Sequence, residues 1–376
     1  MSSIPKPESR LLAHTLLFGP WLALIYVALL FALPVYLAYL TALSLEPFVE
    51  QQIIGALSNL LAPIYATQPL LFALLLGDYG LLSLGLYSFL WALPVVLYIG
   101  ISVAITQEMG LQERITAALD PWLRRIGLTG QDLLPVLTGF GCNVVAVFQS
   151  RSCGNCTRGA CVSMIAFGSA CSYQIGASLS IFNAAQMPWL FGPYLCTLFL
   201  VAAIHTRLWH GQVMESVQPS LVLTHRLRPP TLGRLGQRVA AVLGQFIQEA
   251  MPIFLLFCLI GALLDYSGFL ARLADFVAPS LHLFGLPGDA APGLIFSIVR
   301  KDGLLTLNQG QGELIRQMSG SQVFILVYLA STFTACLITL WTVRKELGWR
   351  EAFKIGGRQM GTSVGTALML RLILPG

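Results

Sequence analysis

Long apolar runs of about 20 residues, separated by short polar loops, make up most of the chain. A run of that length lets an α-helix cross ~30 Å of hydrocarbon. No alternating ten-residue strand pattern appears, so the crossing elements are predicted to be helices. They fall near Phe18 to Leu43, Leu82 to Thr106, Cys161 to Phe182, Trp189 to Arg207, Val239 to Leu264 and Gln322 to Val343, with a short last one at Met360 to Leu374. Ile53 to Leu76 is apolar but carries Pro63 and Pro69, and reads as an outer interfacial segment. Leu111 to Ile126 is amphipathic and predicted to lie along the inner face.

Two apolar elements are too short and too interrupted for full crossings. Leu133 to Phe148 carries Pro135, Gly139 and Gly141, and Ala291 to Leu307 is its counterpart. Unwound backbone at membrane depth is tolerated only where protein or a water-filled cavity satisfies it, so both are predicted to be re-entrant or discontinuous helices. A repeat links them. Ala92 to Gly130 recurs without a gap as Ala250 to Gly288, so that Pro94 falls on Pro252, Gly110 on Gly268, Arg114 on Arg272, Pro121 on Pro279, Gly127 on Gly285 and Gly130 on Gly288. An odd number of crossings separates the copies, which predicts an inverted repeat. The expected fold is all-α: a polytopic integral membrane protein of about seven or eight transmembrane helices plus two discontinuous segments in an inverted-topology internal repeat. The divisions expected are an N-terminal anchor and outer segment (1–81), a first repeat (82–208), a basic cytoplasmic loop (209–238) and a second repeat (239–376).

Composition agrees: 56% of residues are hydrophobic, 10% are charged, and the mean hydropathy is +0.74. Soluble chains carry about 25% charged residues. The net charge of +5 is read as basic cytoplasmic loops, not as a nucleic-acid surface. Lys6 and Arg10 precede the first span, whereas Glu46 and Glu50 follow it, which places the N-terminus in the cytoplasm and the chain, multi-pass, in an inner membrane. Membrane lipid is its first partner, and a homo-oligomer is compatible with the pattern. No catalytic constellation is assigned, and the chain is read as a transporter and not an enzyme.

Candidate chemistry gathers at the breaks. Gly139 and Gly141 free backbone carbonyls beside the thiol of Cys142 and the amide of Asn143. A thiolate suits soft and borderline metal ions, and an amide adds a harder oxygen. In the second copy Cys142 and Asn143 align on Arg300 and Lys301, followed by Asp302, which reads either as a structural Lys301–Asp302 ion pair or as a gate. Glu108 and Asp265 end the two repeat-starting spans, and serve either as interfacial carboxylates or as cation-attracting vestibule groups. Cys153 and Cys156 form a CxxC with Cys161 five residues on and Cys171 beyond it, a cluster for metal or thiol redox chemistry. His205, His210 and His225 are read as loop residues.

Leu123 to Gly130 (LRRIGLTG) and Leu134 to Val147 (LPVLTGFGCNVVAV) resemble the first Gate motif of bacterial ferrous iron transport protein B, FeoB. Phe296 to Gly303 (FSIVRKDG) is similar to that family's second Gate segment, and Thr334 to Trp349 (TACLITLWTVRKELGW) to a later block. The resemblance implies a permease in which Cys142 and Cys336 are pore thiols, one from each half. Departures are Val145 and Ala335 where the family has proline, Asp302 where it has glutamate, and the additional Cys153, Cys156 and Cys161. No G-x-x-x-x-G-K-[ST] phosphate loop occurs in the chain, so energy coupling is expected from a separate GTPase or a small accessory protein.

The leading reading is an inner-membrane permease for a divalent transition-metal ion, foremost Fe²⁺, carried as cargo with no permanently bound cofactor. One alternative is a Gate-fold transporter of a nucleoside or similar organic solute, using Phe140, Tyr173 and Gln174. Another is a membrane metal-binding or thiol redox partner built on Cys153 and Cys156.

Overall fold

The computed structural model describes residues 19–77, 80–154, 156–211, 229–301, 303–304, 307 and 313–374. Among these every regular element is helical. The chain begins with α1 (Pro20–Phe48), which passes through a π turn at Val49–Ile54 into α2 (Gly55–Thr67) and α3 (Pro69–Leu76). The segment around Pro63 and Pro69 is thus two short helices, with Pro69 at the first helical position, where its missing N–H costs nothing.

The first repeat opens with α4 (Ser83–Glu108), turns at Gly110 into α5 (Leu111–Arg124), and continues through Gly130–Asp132 into α6 (Leu133–Thr138) and α7 (Asn143–Gln149). The second opens with α11 (Leu232–Gln245), a π turn at Phe246–Ala250 and α12 (Met251–Tyr266), then turns at Gly268 into α13 (Phe269–Leu281) and reaches α14 (Ala291–Val299) through Gly288–Ala290. Between them stand α8 (Arg158–Gly168), α9 (Ser172–Ala184) and α10 (Phe191–His210). After the second repeat come α15 (Glu313–Gln317), α16 (Gly320–Thr332), α17 (Leu337–Leu347) and α18 (Trp349–Ile373).

The repeat is visible in the backbone itself. Gly110 and Gly268 have φ of 70° and 67°, and Gly127 and Gly285 have 88° and 73°. A side chain with a Cβ is strained in that region, which is why the matched glycines mark the matched turns. The chain bends by 91° between Leu93–Glu108 and Leu111–Arg124, and by 119° between Phe269–Phe284 and Gly288–Val299.

Five helical stretches have the length and hydropathy of membrane spans, seven if each bent pair counts as one. Two of them form the centre: Arg158–Ala184 and Gly320–Leu347 are 89% and 83% buried, against 22% for Pro20–Ala42, whose remaining surface is left for lipid. The chain is an all-α polytopic membrane protein.

Both central spans, read from sequence as continuous, are in fact broken. α8 ends at Gly168 and α9 starts at Ser172; α16 ends at Thr332 and α17 starts at Leu337. The last helix also differs from expectation, since α18 starts at Trp349 and not near Met360. It packs polar side chains inward, with Gln359 Nε2 donating to the carbonyls of Ala166 (3.2 Å) and Thr332 (3.0 Å) and Ser363 bonded to Thr332 (2.7 Å), which hid its length from a hydropathy reading. α11 begins inside the stretch expected to be a basic loop. His205 is no loop residue: it is buried on α10, stacked on Phe167 at 4.6 Å, its ring nitrogens bonded to Ser163 (3.1 Å) and Thr362 (2.8 Å). His210 ends the same helix, and His225 lies outside the described residues.

Candidate functional site

Four interruptions meet at the centre. α6 gives way to a turn at Gly139–Gly141 and an extended Cys142 (φ −151°, ψ 118°) before α7; α14 gives way to an extended Arg300 (φ −148°, ψ 140°). The breaks of the central spans supply Cys171 and Cys336, each at the residue preceding the new helix, with φ, ψ of −66°, 165° and −58°, 153°. Cys142, Cys171, Cys336, Arg300 and Lys301 line one cavity of about 50 Å³. A second, of about 20 Å³, shares Cys142 with it and is lined in addition by Gly141 and Gln149.

The breaks hold one another open by hydrogen bonds that a helix would otherwise make to itself. Ser172 N–H donates to Gly141 O (3.1 Å). With its amide oriented toward the acceptors, Asn143 donates to Gly139 O (2.8 Å) and Ser169 O (3.2 Å). The approach is close enough that a Cβ on Gly139 would sit 2.6 Å from the side chain of Ser169. In the other half Lys301 Nζ donates to Ala330 O (3.0 Å), Ser331 O (2.7 Å) and Thr334 O (2.5 Å). All three ammonium protons are used, and the charge sits at the C-terminal end of α16, where the helix dipole favours a cation.

The expected Lys301–Asp302 pairing involves Asp302, which lies outside the described residues. Arg300, also buried, lies over the Phe254 ring at 4.1 Å and the Tyr173 ring at 5.7 Å, and donates to Cys258 Sγ at 3.0 Å. The cavity therefore sets three thiols against two buried cations. A divalent cation would enter such a place only with thiols losing protons, since ionised sulfur is the ligand and offsets the local positive charge.

Other predicted residues lie elsewhere. Glu108 is held by Arg238 (2.7 Å) and Arg234 (3.1 Å), and Asp265 is exposed; neither is among the residues that line the cavity. The CxxC pair is split. Cys156 is exposed, while Cys153 turns inward to Cys161, their sulfurs 3.0 Å apart beside Asp132. Of the residues assigned to an organic ligand, only Tyr173 lines the cavity; Phe140 stacks on Phe199 at 5.1 Å and Gln174 donates to Tyr194 at 2.8 Å. Sequence reading grouped Cys171 with Cys153, Cys156 and Cys161, whereas it lines the cavity beside Cys142 and Cys336.

The two halves carrying these breaks match one family pattern, Gate, described as nucleoside recognition, at residues 89–185 and 247–350. That is more than half of the chain. The chain belongs to the Gate family. Within this Gate protein the matched segments bring in all four breaks, including Cys142, Cys171, Arg300 and Cys336. It is FeoB-like over most of its length. It is 26% identical over 307 residues to the Fe(2+) transporter FeoB of Synechocystis, covering 75% of this chain and 48% of that protein. It is 22% identical over 335 residues to the Fe(2+) transporter FeoB of Methanocaldococcus jannaschii, covering 80% and 50%. A shorter stretch of 83 residues is 37% identical to the Fe(2+) transporter FeoB of Helicobacter pylori, covering 22% and 13%. The chain spans about half the length of the first two of these relatives.

Proposed function

We propose that this Gate protein conducts a divalent transition-metal ion, foremost Fe²⁺, across an inner membrane through the cavity between its two halves, with the N-terminus in the cytoplasm. The observation that carries this reading is the convergence of three thiols, Cys142, Cys171 and Cys336, from three separate helix breaks on one small space. Cys142 borders both cavities, which puts it where an ion would pass from one to the other. Gly141 and Asn143 belong to the same turn, and unwound backbone there is in keeping with an ion path at the midplane. The iron named for the FeoB relatives supports the choice of cargo.

Cavity size weighs against an organic solute. A water needs roughly 10–15 Å³ of such space, so about 50 Å³ suits an ion with a few waters, whereas small-molecule sites occupy roughly 300–1,000 Å³. The one aromatic pair at the cavity, Tyr173 and Phe254, is stacked on itself (5.7 Å, 9° between planes) and capped by Arg300, leaving no free ring face between them for a base. Energy coupling is assigned to a separate GTPase or accessory protein, and a homo-oligomer is compatible with the lipid-facing α1.

Uptake of Fe²⁺ into proteoliposomes tests the reading directly. Cys142→Ser is expected to lower it on the order of tenfold or more, the effect of losing about 1.4 kcal/mol or more of ligand free energy. Uptake equal to the parent would remove Cys142 from the path, and competition by nucleosides in place of metals would favour the organic reading.

A further inference from the structure

The loop that joins α7 to α8 carries a second set of soft ligands that the cavity does not use. Cys153 follows the turn Ser150–Ser152, and Cys161 stands in the first turn of α8; both are free thiols, buried, with sulfurs 3.0 Å apart. Asp132, fully buried, completes the group, and one ligand atom from each of the three lies within 4.8 Å of the others.

The carboxylate of Asp132 is held in place from two sides. Its Oδ2 accepts from Thr129 N–H (2.7 Å) and Thr129 Oγ1 (2.8 Å), and its Oδ1 accepts from Thr157 Oγ1 (3.0 Å). Three of about four lone-pair directions are filled, which leaves one for a ligand bond. Oriented carboxylates of this kind are what metal sites use in their outer hydrogen bonding. The cap that Asp132 makes for Thr129 explains the aspartate on its own, and burial suits a thiol on its own. Neither explains why two thiols and a fixed carboxylate face one another.

We propose that Asp132, Cys153 and Cys161 form a binding site for a soft or borderline divalent metal ion, separate from the cavity, with the exposed Cys156 as the thiol through which the ion enters. In a tetrahedral site with bonds of about 2.3 Å, two sulfurs stand about 3.7 Å apart. The pair has to open by less than an ångström, a side-chain adjustment. Two thiolates and a carboxylate bring three negative charges to a dication, and the ion displaces two protons. The arms of the loop are anchored: Arg151 and Arg158 both bind Glu346 near the end of α17, at 2.5 and 2.8 Å. Cys336 immediately precedes α17, so the ion pairs that anchor the loop and the thiol that lines the cavity stand at opposite ends of that helix. The proposal holds whether or not the cavity conducts metal.

The test is an anaerobic Co²⁺ titration of the purified full chain, followed by the near-ultraviolet thiolate-to-cobalt charge-transfer band. A chain with Cys142→Ser, Cys171→Ser and Cys336→Ser is expected to keep one equivalent with that band, and adding Cys153→Ser and Cys161→Ser is expected to remove it. In case the cavity variant does not fold, the double variant Cys153→Ser/Cys161→Ser with the cavity intact is expected to lose one equivalent and part of the band relative to the parent. A band that survives the double variant unchanged overturns the site. So does a parent that binds no Co²⁺ at this pair yet forms a Cys153–Cys161 disulfide with hydrogen peroxide, two thiols giving up two electrons and two protons as peroxide is reduced to water. Failure of the cavity reading looks different: uptake indifferent to Cys142, with this equivalent of Co²⁺ retained.

Discussion

The two breaks at Cys142 and Arg300 have the same backbone and opposite chemistry. Both residues are extended, and in each half the next residue, Asn143 or Lys301, donates to a carbonyl of the unwound stretch in a neighbouring central span, Ser169 O or Thr334 O. In the first half the donor is a neutral amide and the preceding residue a thiol. In the second the donor is an ammonium and the preceding residue a guanidinium. The two halves share an architecture and differ in charge, and under the proposed function an ion in the cavity would meet Cys142 on the side where no fixed positive charge fills the turn.

Exchanging those features breaks the comparison at its strongest point. Asn143→Lys would give both halves a tethered cation, and metal uptake in proteoliposomes is expected to fall to background while the chain still elutes as a folded species. Transport that survives the change would deny the first half its special place. Lys301→Met strips the second half of its donor and leaves three carbonyls unpaired, at about 1–3 kcal/mol for each that water does not reach. A lowered thermal midpoint is expected, partly restored by added ammonium ion; an unchanged midpoint would show that the ammonium is not what holds the break.

Smaller effects probe the packing around the breaks. Gly139→Ala pushes a methyl against Ser169, and overpacking of this kind costs about 1–3 kcal/mol, readable as a shift in the denaturation midpoint in detergent. Glu108→Gln, at an ion pair whose arginines are half-exposed, is expected to change stability by about 0–1 kcal/mol and uptake not at all. A large loss of uptake in that variant would return Glu108 to the ion path.

Much of this was legible in the residues. The paired glycines at 110 and 268 and at 127 and 285 announced matched turns because only glycine takes φ near +70° without strain. Cys142 stood out because two glycines beside it freed the backbone. The breaks at 169–171 and 333–336 were silent, since they contain neither glycine nor proline and are opened by distant donors, Asn143 and Lys301, that only folding brings near. Asp132 did not stand out as a candidate ligand for the same reason: its thiol neighbours Cys153 and Cys161 come from the following loop and from the first turn of α8, which only folding brings near. α18 was misjudged because its polar residues face protein and not lipid.

Lys301 also bears on what would have to accompany the proposed cargo. Its ammonium is joined to the chain by covalent bonds and is present from synthesis onward, so one of the two equivalent positions is filled in every copy of the protein before any cargo arrives. Under the proposed function, a carrier built this way would need no alkali metal to fill that place, and its uptake would be indifferent to Na⁺ and K⁺.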